Sequence, residues 1–588
     1  MKKLVQLLCI CIATYAFQPI NAQSFEETSF PNLTTTPTAS RSANFIDVNG
    51  DGWDDIFITN GPFEGQNNML YINNTNGTFT TVSGVDIVGD NDRSDGASFA
   101  DVDNDGDNDA FVVTFGANGQ GKKNYFYRNN GDGSFTYEPN IAMGIPLTYS
   151  EMATWVDIND DQFLDLYFTN SVGSLTNLYF ENQGDGSFQS VTNLTITNEA
   201  KPSRSIDWID YDGDGDCDLF VTNESNQNNT LYRNDGPDNF TQITNLNIVT
   251  DNKNSAGSSW GDIDNDGDFD LFVANYANAG QSNQLFINNN GTFTEDTNSA
   301  VASAVTNSFG SSFGDVDNDG DLDLFVCNAF LAGQDTNFLY INDGSGNFTL
   351  DTNSDLANHQ GWTFGSAFGD YNNDGWLDVL LANTLDENQT NSLYKNTGTG
   401  NNWVKIICKG TASNASAVGA LVRLTATIDG NSVTQIRKVA ASSGYCSQNS
   451  YANHFGLGDA TIIDEIEIQW PAGSTEIFTD IDINDLYAIV EGDGILANED
   501  TNGFTASLFP NPVANAFTVS SSVFTEYPEA SISLYGVDGS LVHTASKTHA
   551  ATNTETMTID ISHLSPGIYF YSIHQNTNIL LTGKVVKQ

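Results

Sequence analysis

The chain has 588 residues, room for three or four ordinary domains or for one large repeat array with smaller companions. It carries 75 acidic and 20 basic side chains, a formal charge of −55, with 11% aromatic residues. That charge excludes a partner built on a phosphate backbone, and the aromatic content excludes an acidic disordered chain.

Residues 1–22 read as a signal peptide: Lys2 and Lys3 precede an apolar run, and Ala22 before Gln23 is a small residue suited to cleavage. No later stretch approaches 18 uninterrupted apolar residues, so no membrane span is expected. Residues 23–400 hold 57 acidic and 10 basic side chains, so most of the negative charge is local to them. Carboxylates at this density ask for cations. Beyond the leader only Cys217, Cys327, Cys408 and Cys446 remain, too few for a disulfide scaffold.

One element recurs seven times in residues 23–400: an aromatic, one residue, Asp-x-(Asp/Asn)-x-Asp, usually Gly, two residues, Asp, and a short apolar run. The leading residues are Asp47, Asp101, Asp157, Asp210, Asp262, Asp315 and Asp370, spaced 52 to 56 apart. Two positions earlier stand Phe45, Phe99, Trp155, Trp208, Trp260, Phe313 and Phe368. A ring at one offset in every copy predicts equivalent burial against a neighbouring unit. Each unit has four short apolar runs separated by Asn/Gly/Asp turns and without helical period, which predicts four strands. Seven such units predict a seven-bladed β-propeller, whose closure removes exposed sheet edges. A linear β-solenoid is the alternative.

In each loop, positions 1, 3, 5 and 9 supply side-chain oxygen, and Gly at position 6 permits the sharp bend. The sets are Asp47/Asn49/Asp51/Asp55, Asp101/Asp103/Asp105/Asp109, Asp157/Asn159/Asp161/Asp165 and Asp210/Asp212/Asp214/Asp218 in the first four units. Asp262/Asp264/Asp266/Asp270, Asp315/Asp317/Asp319/Asp323 and Asp370/Asn372/Asp374/Asp378 follow. Hard oxygen donors without His or Cys suit calcium, so up to seven Ca2+ ions are expected. An Asx-rich turn needs only one or two such residues, whereas four unneutralised carboxylates in nine positions repel one another. Position 12 is apolar (Val112, Val273, Val326) where an EF-hand carries Glu, so position 9 is the expected closing ligand. The third loop is the weakest, because Gln162 replaces the Gly.

These repeats resemble the FG-GAP (VCBS) family, the calcium-loop repeats of integrin alpha-chain propellers and of many secreted bacterial proteins. The resemblance covers roughly residues 40–400 and implies a propeller with calcium in its loops, in a domain spanning 23–400. Residues 401–495 follow as a separate small β-rich domain. Its segments VGALVRL (418–424), GYCSQNS (444–450), HFGLGDA (454–460) and IQWPAGSTE (468–476) resemble the ASPIC/UnbV domain, in the order found in the cartilage acidic protein family. After a linker over 496–504, residues 505–588 resemble the C-terminal sorting domain of type IX secretion. FPNP (509–512), YGVDGSLV (535–542), LSPGIYFYSI (564–573) and GKVVKQ (583–588) carry that likeness. It implies a β-sandwich read by the type IX machinery and export through the periplasm of a Gram-negative cell.

The expected function is a secreted or cell-surface, calcium-stabilised binding or adhesion module for an extracellular glycan or protein, not an enzyme. The alternatives are a polysaccharide lyase or glycosidase and a structural matrix component. His454 with Tyr445 or Ser447 is the one imaginable catalytic pair, and a packed structural histidine is the plainer reading. Cys408 and Cys446 are the candidate disulfide, with two free thiols the equal alternative. Gly61–Asn68 and Gly116–Lys123 are insertions expected on the propeller's variable surface.

Overall fold

The computed structural model describes residues 24–495, apart from 62–64, 117–119, 278, 332–335 and 385–388. It also describes 506–588 apart from 510–511, 522–523, 525–526, 528–529, 538, 547–555 and 576–577. The expected leader, the linker and parts of the two insertions lie outside the described residues.

The first repeat shows how the sequence pattern becomes a blade. Ser40–Ile46 is the inner strand, and Asp55–Asn60, Met69–Asn73 and Phe79–Thr81 follow outward as an antiparallel meander. Among the described residues seven such four-stranded sheets recur, and their inner and second strands are buried, or nearly so, on both faces. Equivalent inner strands begin at Ser94, Ser150, Ser203, Ser255, Ser308 and Thr363, each at the head of its own four-stranded sheet. The last sheet takes its outer strand from the other end of the repeat region. Phe25–Thr28 pairs antiparallel with Ser392–Asn396, and the first inner strand packs beside the last, so the ring closes. Such closure leaves no long edge open to aggregation.

The repeated aromatic does what its constant offset predicts. Phe99, Trp155, Trp208 and Trp260 each lie edge-on to a ring on the second strand of the preceding blade: Phe57, Phe111, Tyr167 and Phe220, at 5.2, 6.2, 6.0 and 5.4 Å.

Two ladders of asparagine also join the blades. At the end where inner strands begin, the entry face, the side-chain oxygens of Asn68, Asn124, Asn177, Asn229, Asn283, Asn337 and Asn391 accept from the backbone N–H closing the second strand. Four of these residues also donate to the first residue of the next inner strand, as Asn124 does to Ser150. The second ladder, beneath the carboxylate loops, is described with them below.

Residues 402–495 form two four-stranded sheets packed on a core that includes Val404, Ile406, Val422, Leu424, Ile466 and Ile468. Asn402–Lys409 runs parallel to Leu486–Val490 in the first sheet, and Leu421–Ile428 is central in the second. The C-terminal unit has a three-stranded and a four-stranded sheet around Phe517, Ile532 and Ile573. Its Val537 and Phe570 join the core of the preceding unit.

Candidate metal centres and the channel they encircle

The seven carboxylate loops all leave the ends of inner strands, so they share one face of the propeller. Their backbone follows one plan. The first Asp accepts from the N–H of position 5 through one oxygen and from that of position 6 through the other, as Asp101 does from Asp105 at 3.1 Å and Gly106 at 2.8 Å. Position 6 is left-handed in every loop, with φ from +78° to +103°. Six of these residues are glycine. Gln162 takes the same conformation at φ +78°, a strained choice for a residue with a side chain.

The ninth-position Asp is a staple as well as a candidate ligand. Asp55, Asp165, Asp218, Asp270 and Asp323 each accept from the N–H of position 2 and from an asparagine N–H closing the third strand. These asparagines form the second ladder. Asn73, Asn129, Asn182, Asn288, Asn342 and Asn396 also donate through the side chain to the position-2 carbonyl of the preceding blade's loop. An Asn closes all seven third strands, a signal plain in the sequence but not read there as structural.

Four loops bring three carboxylates together, with one oxygen from each within 4.8 Å of the others: Asp101/Asp103/Asp105, Asp210/Asp212/Asp218, Asp262/Asp264/Asp270 and Asp315/Asp317/Asp323. In each, one oxygen of the third-position residue (Asp103, Asp212, Asp264 or Asp317) is buried without a hydrogen-bond partner. A buried carboxylate oxygen left unpaired is costly, and a hard cation at the point of convergence supplies what it lacks. The donor chemistry therefore fits calcium, held by positions 1, 3 and 9 and, in the second loop, by 1, 3 and 5.

The fifth position departs from the expected ligand sets. Asp161 and Asp214, expected beside Asp157 and Asp210, are exposed to solvent, and neither joins a cluster of three carboxylates among the described residues. One oxygen of Asp161 accepts from the Phe163 N–H at 2.9 Å and one of Asp214 from the Asp216 N–H at 3.1 Å. Asp51, Asp266, Asp319 and Asp374 make the same bond to position 7 and also stand outside the clusters. Asp105 makes it too, yet still converges with Asp101 and Asp103.

The loops are not equal in other respects. In the first, third and seventh, the third position is an amide, and the oxygens of Asn49, Asn159 and Asn372 accept from the N–H of position 5. No third carboxylate converges there among the described residues. In the second, the Arg128 guanidinium lies 2.8 Å from Asp103 and 2.6 Å from Asp109. In the seventh, Lys395 pairs with Asp374 at 3.0 Å.

Electrostatics agree with a need for cations. Burial pushes Asp218 and Asp270 up to about 8 and Asp262 to about 7, and it also raises Asp315, Asp319 and Asp323, with neighbouring carboxylates adding to the effect. The second unit supplies some positive charge. Lys405 donates to Asp370 and Asn373 at 2.6 Å each, and Arg437 faces Asp315 and Asp262.

That unit is less separate than its sequence suggests. Between its strands Asn431–Lys438 and Asn453–Gly458 the chain enters the channel at the propeller axis. The Gln448 backbone bonds to Ala43 and Phe45, and its side-chain amide accepts from the Phe99 N–H at 2.8 Å and donates to the Phe99 carbonyl at 3.2 Å. Ser442 bonds to Thr154, Tyr445 to Glu151 and Arg204, and Asn449 to Ser312 and Phe368. Hydrogen bonds thus tie the GYCSQNS segment and its flanks to six of the seven inner strands. Beside it a cavity of about 200 Å³ is lined by Asp207, Trp208, Trp260, Lys438, Asn453 and His454 among others.

The imaginable catalytic pair is not assembled. His454 donates from Nε2 to the Gly375 carbonyl (3.1 Å), and burial pushes it down to about 4, the behaviour of a packed neutral histidine. Tyr445 bonds to Glu151, and Ser447 accepts from the Ala43 N–H. The disulfide is not formed either. Cys408 lies in the core of the second unit, whereas Cys446 lies in the channel with its thiol on the Glu151 carbonyl. Strand and channel segment hold the two thiols in different surroundings.

Residues 410–496 match the ASPIC and UnbV family and 507–588 the secretion system C-terminal sorting domain. Cartilage acidic protein 1 of Xenopus tropicalis is 29% identical over 277 residues, 45% of this chain and 40% of that protein. The Homo sapiens protein of that name is 27% identical over 270 residues, 44% and 39% of the two chains. The chain thus spans about two fifths of the length of the curated relatives it matches. A solved lectin of Agrocybe aegerita, described as recognising non-reducing terminal N-acetylglucosamine, is 20% identical with a TM-score of 0.37, covering 55% of this chain and 82% of that one. The FG-GAP-like repeat matches in six overlapping or successive segments from residue 47 to residue 381, more than half of the chain, and the protein belongs to the FG-GAP-like repeat family.

Proposed function

We propose that this protein is an exported, calcium-stabilised binding module whose propeller and ASPIC/UnbV unit act as one body on an extracellular glycan or protein. The sorting domain marks the chain for export to the cell surface or beyond through the type IX machinery. Among the described residues, no helix is long and apolar enough to cross a membrane. The observation that carries the reading is the convergence of three carboxylates in four loops, each with a buried oxygen lacking a partner. Extracellular calcium modules bind with Kd of about 10⁻⁴–10⁻³ M, so such loops fill outside the cell. Filling them stabilises the ring that presents the opposite face.

The test is calorimetric titration of the full chain with calcium, paired with retention on immobilised polysaccharides and matrix proteins in calcium and in EDTA. The expected result is at least four calcium ions per chain and calcium-dependent retention on one ligand class. No calcium uptake overturns the metal reading, and no retention on any member of either class overturns the binding reading.

A further inference from the structure

We propose that the entry-face mouth of the propeller channel is a carbohydrate site that takes the end of a neutral pyranose chain. The proposal rests on the binding role above and gives it a place and a ligand class.

The floor of the mouth is ionic. Tyr445, at the inner end of the channel segment, donates to Glu151 at 2.6 Å and accepts from Arg204 at 2.8 Å. Arg204 pairs with Glu224 at 2.5 Å, and the Tyr276 hydroxyl donates to the same carboxylate. Arg41 and Asp95 occupy the matching second position of the first two inner strands, where every inner strand carries a register shift. Asp95 is 5% exposed, and one of its carboxylate oxygens has no partner; neither has the Arg41 Nε.

Aromatic rings flank this floor on two sides. On one, Tyr276 stacks on Phe309 at 4.9 Å, Phe309 meets Phe330 at 5.4 Å, and Phe330 meets Trp362 at 5.1 Å. Phe330 is 41% exposed, whereas the interblade rings are buried or nearly so. On the other, Phe115 and Tyr149 lie 5.6 Å apart with Arg93 over Phe115 at 4.7 Å. Arg41 lies over Phe364, 4.5 Å from the ring centre, and so joins the aromatic side to the floor.

A pyranose presents an apolar C–H face and a rim of hydroxyls, each both donor and acceptor. Rings beside alternating guanidinium and carboxylate groups match both features, an apolar lining with a few placed polar groups. The charge selects the neutral sugar. Arg41, Arg93 and Arg204 balance Asp95, Glu151 and Glu224, three of each sign, so the mouth offers no net charge to draw a polyanion. A protein partner needs about 800 Å² on this side, and of the rings that line the mouth only Phe330 is exposed.

The experiment measures binding of the full chain, in millimolar calcium, to gluco-, manno- and xylo-oligosaccharides, to alginate and pectate fragments, and to matrix proteins. Trp362→Ala, Arg41→Ala and Phe330→Ala accompany the wild type, each with its calcium-dependent melt recorded. The expected result is binding of a neutral oligosaccharide, weakened at least tenfold by Trp362→Ala and by Arg41→Ala and about threefold by Phe330→Ala, with the melt of the exposed-site variant Phe330→Ala unchanged. Neutral-sugar binding unaltered in all three variants overturns this site and leaves the binding role standing. Retention on acidic glycans or proteins alone overturns the ligand class, and retention on nothing overturns the binding role and this site together.

Discussion

The two faces of the propeller grow from the same seven inner strands and hold opposite chemistry. Where the strands end, carboxylates converge; where they begin, cations and aromatic rings collect. Seven of the ten basic residues of 23–400 (Arg41, Arg93, Lys122, Lys123, Lys201, Arg204 and Lys253) lie at the entry face. The remaining three, Arg128, Arg233 and Lys395, close third strands at the loop face, and two of them pair with loop carboxylates. A repeat therefore fixes one face strictly, because every loop must satisfy the same turn, and leaves the other free to vary from blade to blade. The strict face suits scaffolding and the variable one recognition.

The largest effect should come from emptying the loop face. At calcium about tenfold above Kd each filled loop contributes about 1.4 kcal/mol, so four loops together contribute about 5–6 kcal/mol. EDTA should therefore lower the melting temperature of the full chain and abolish retention at the entry face; an unchanged melt would break the division of labour.

A pH series sharpens the contrast between buried channel and exposed face. Burial raises Asp207 to about 7, so the native state holds its proton more tightly than the unfolded chain does. Stability from this group is complete below about pH 4 and declines as pH rises through 7. Asp207→Asn should remove that decline, gaining on the order of 4 kcal/mol over wild type at pH 8 relative to pH 4. Next in size is the channel segment, which connects the faces. Gln448→Ala leaves the Phe99 N–H and carbonyl without their partners, a cost of about 2–3 kcal/mol by denaturant titration, with calcium stoichiometry unaltered. The smallest effects grade the loops. Asp264→Ala should reduce calcium stoichiometry by one, whereas Asp214→Ala, at the exposed rim of its loop, should leave it unchanged. Arg128→Ala should instead strengthen binding at the second loop severalfold, since a cation no longer bridges Asp103 and Asp109. Loss of binding in that variant would assign the guanidinium a supporting role.

Much of this was legible in the chain. The spacing of Asp47 through Asp370, the aromatic two residues earlier and the four apolar runs specify a blade through contacts within some 50 residues. The ligand sets were legible as residue types. Which of them converge was not, because a guanidinium such as Arg128 reaches the loop from the third strand and bridges Asp103 and Asp109. The asparagines closing each third strand stood in plain view as turn residues. Their donation to a neighbouring blade needs the ring itself.

The amino-acid sequence by itself determined the repeat, the residue types of its loops and the likeness to a sorting domain, because each rests on short-range spacing or on a local motif. Only the tertiary structure decided that Phe25–Thr28 closes the last blade and that Gln448 sits against Phe99. It also kept Cys408 and Cys446 apart and gathered Arg41, Arg204 and Trp362 around one mouth. Those outcomes join residues hundreds of positions apart, and their register is set by packing and by satisfying buried polar groups, which no local pattern encodes.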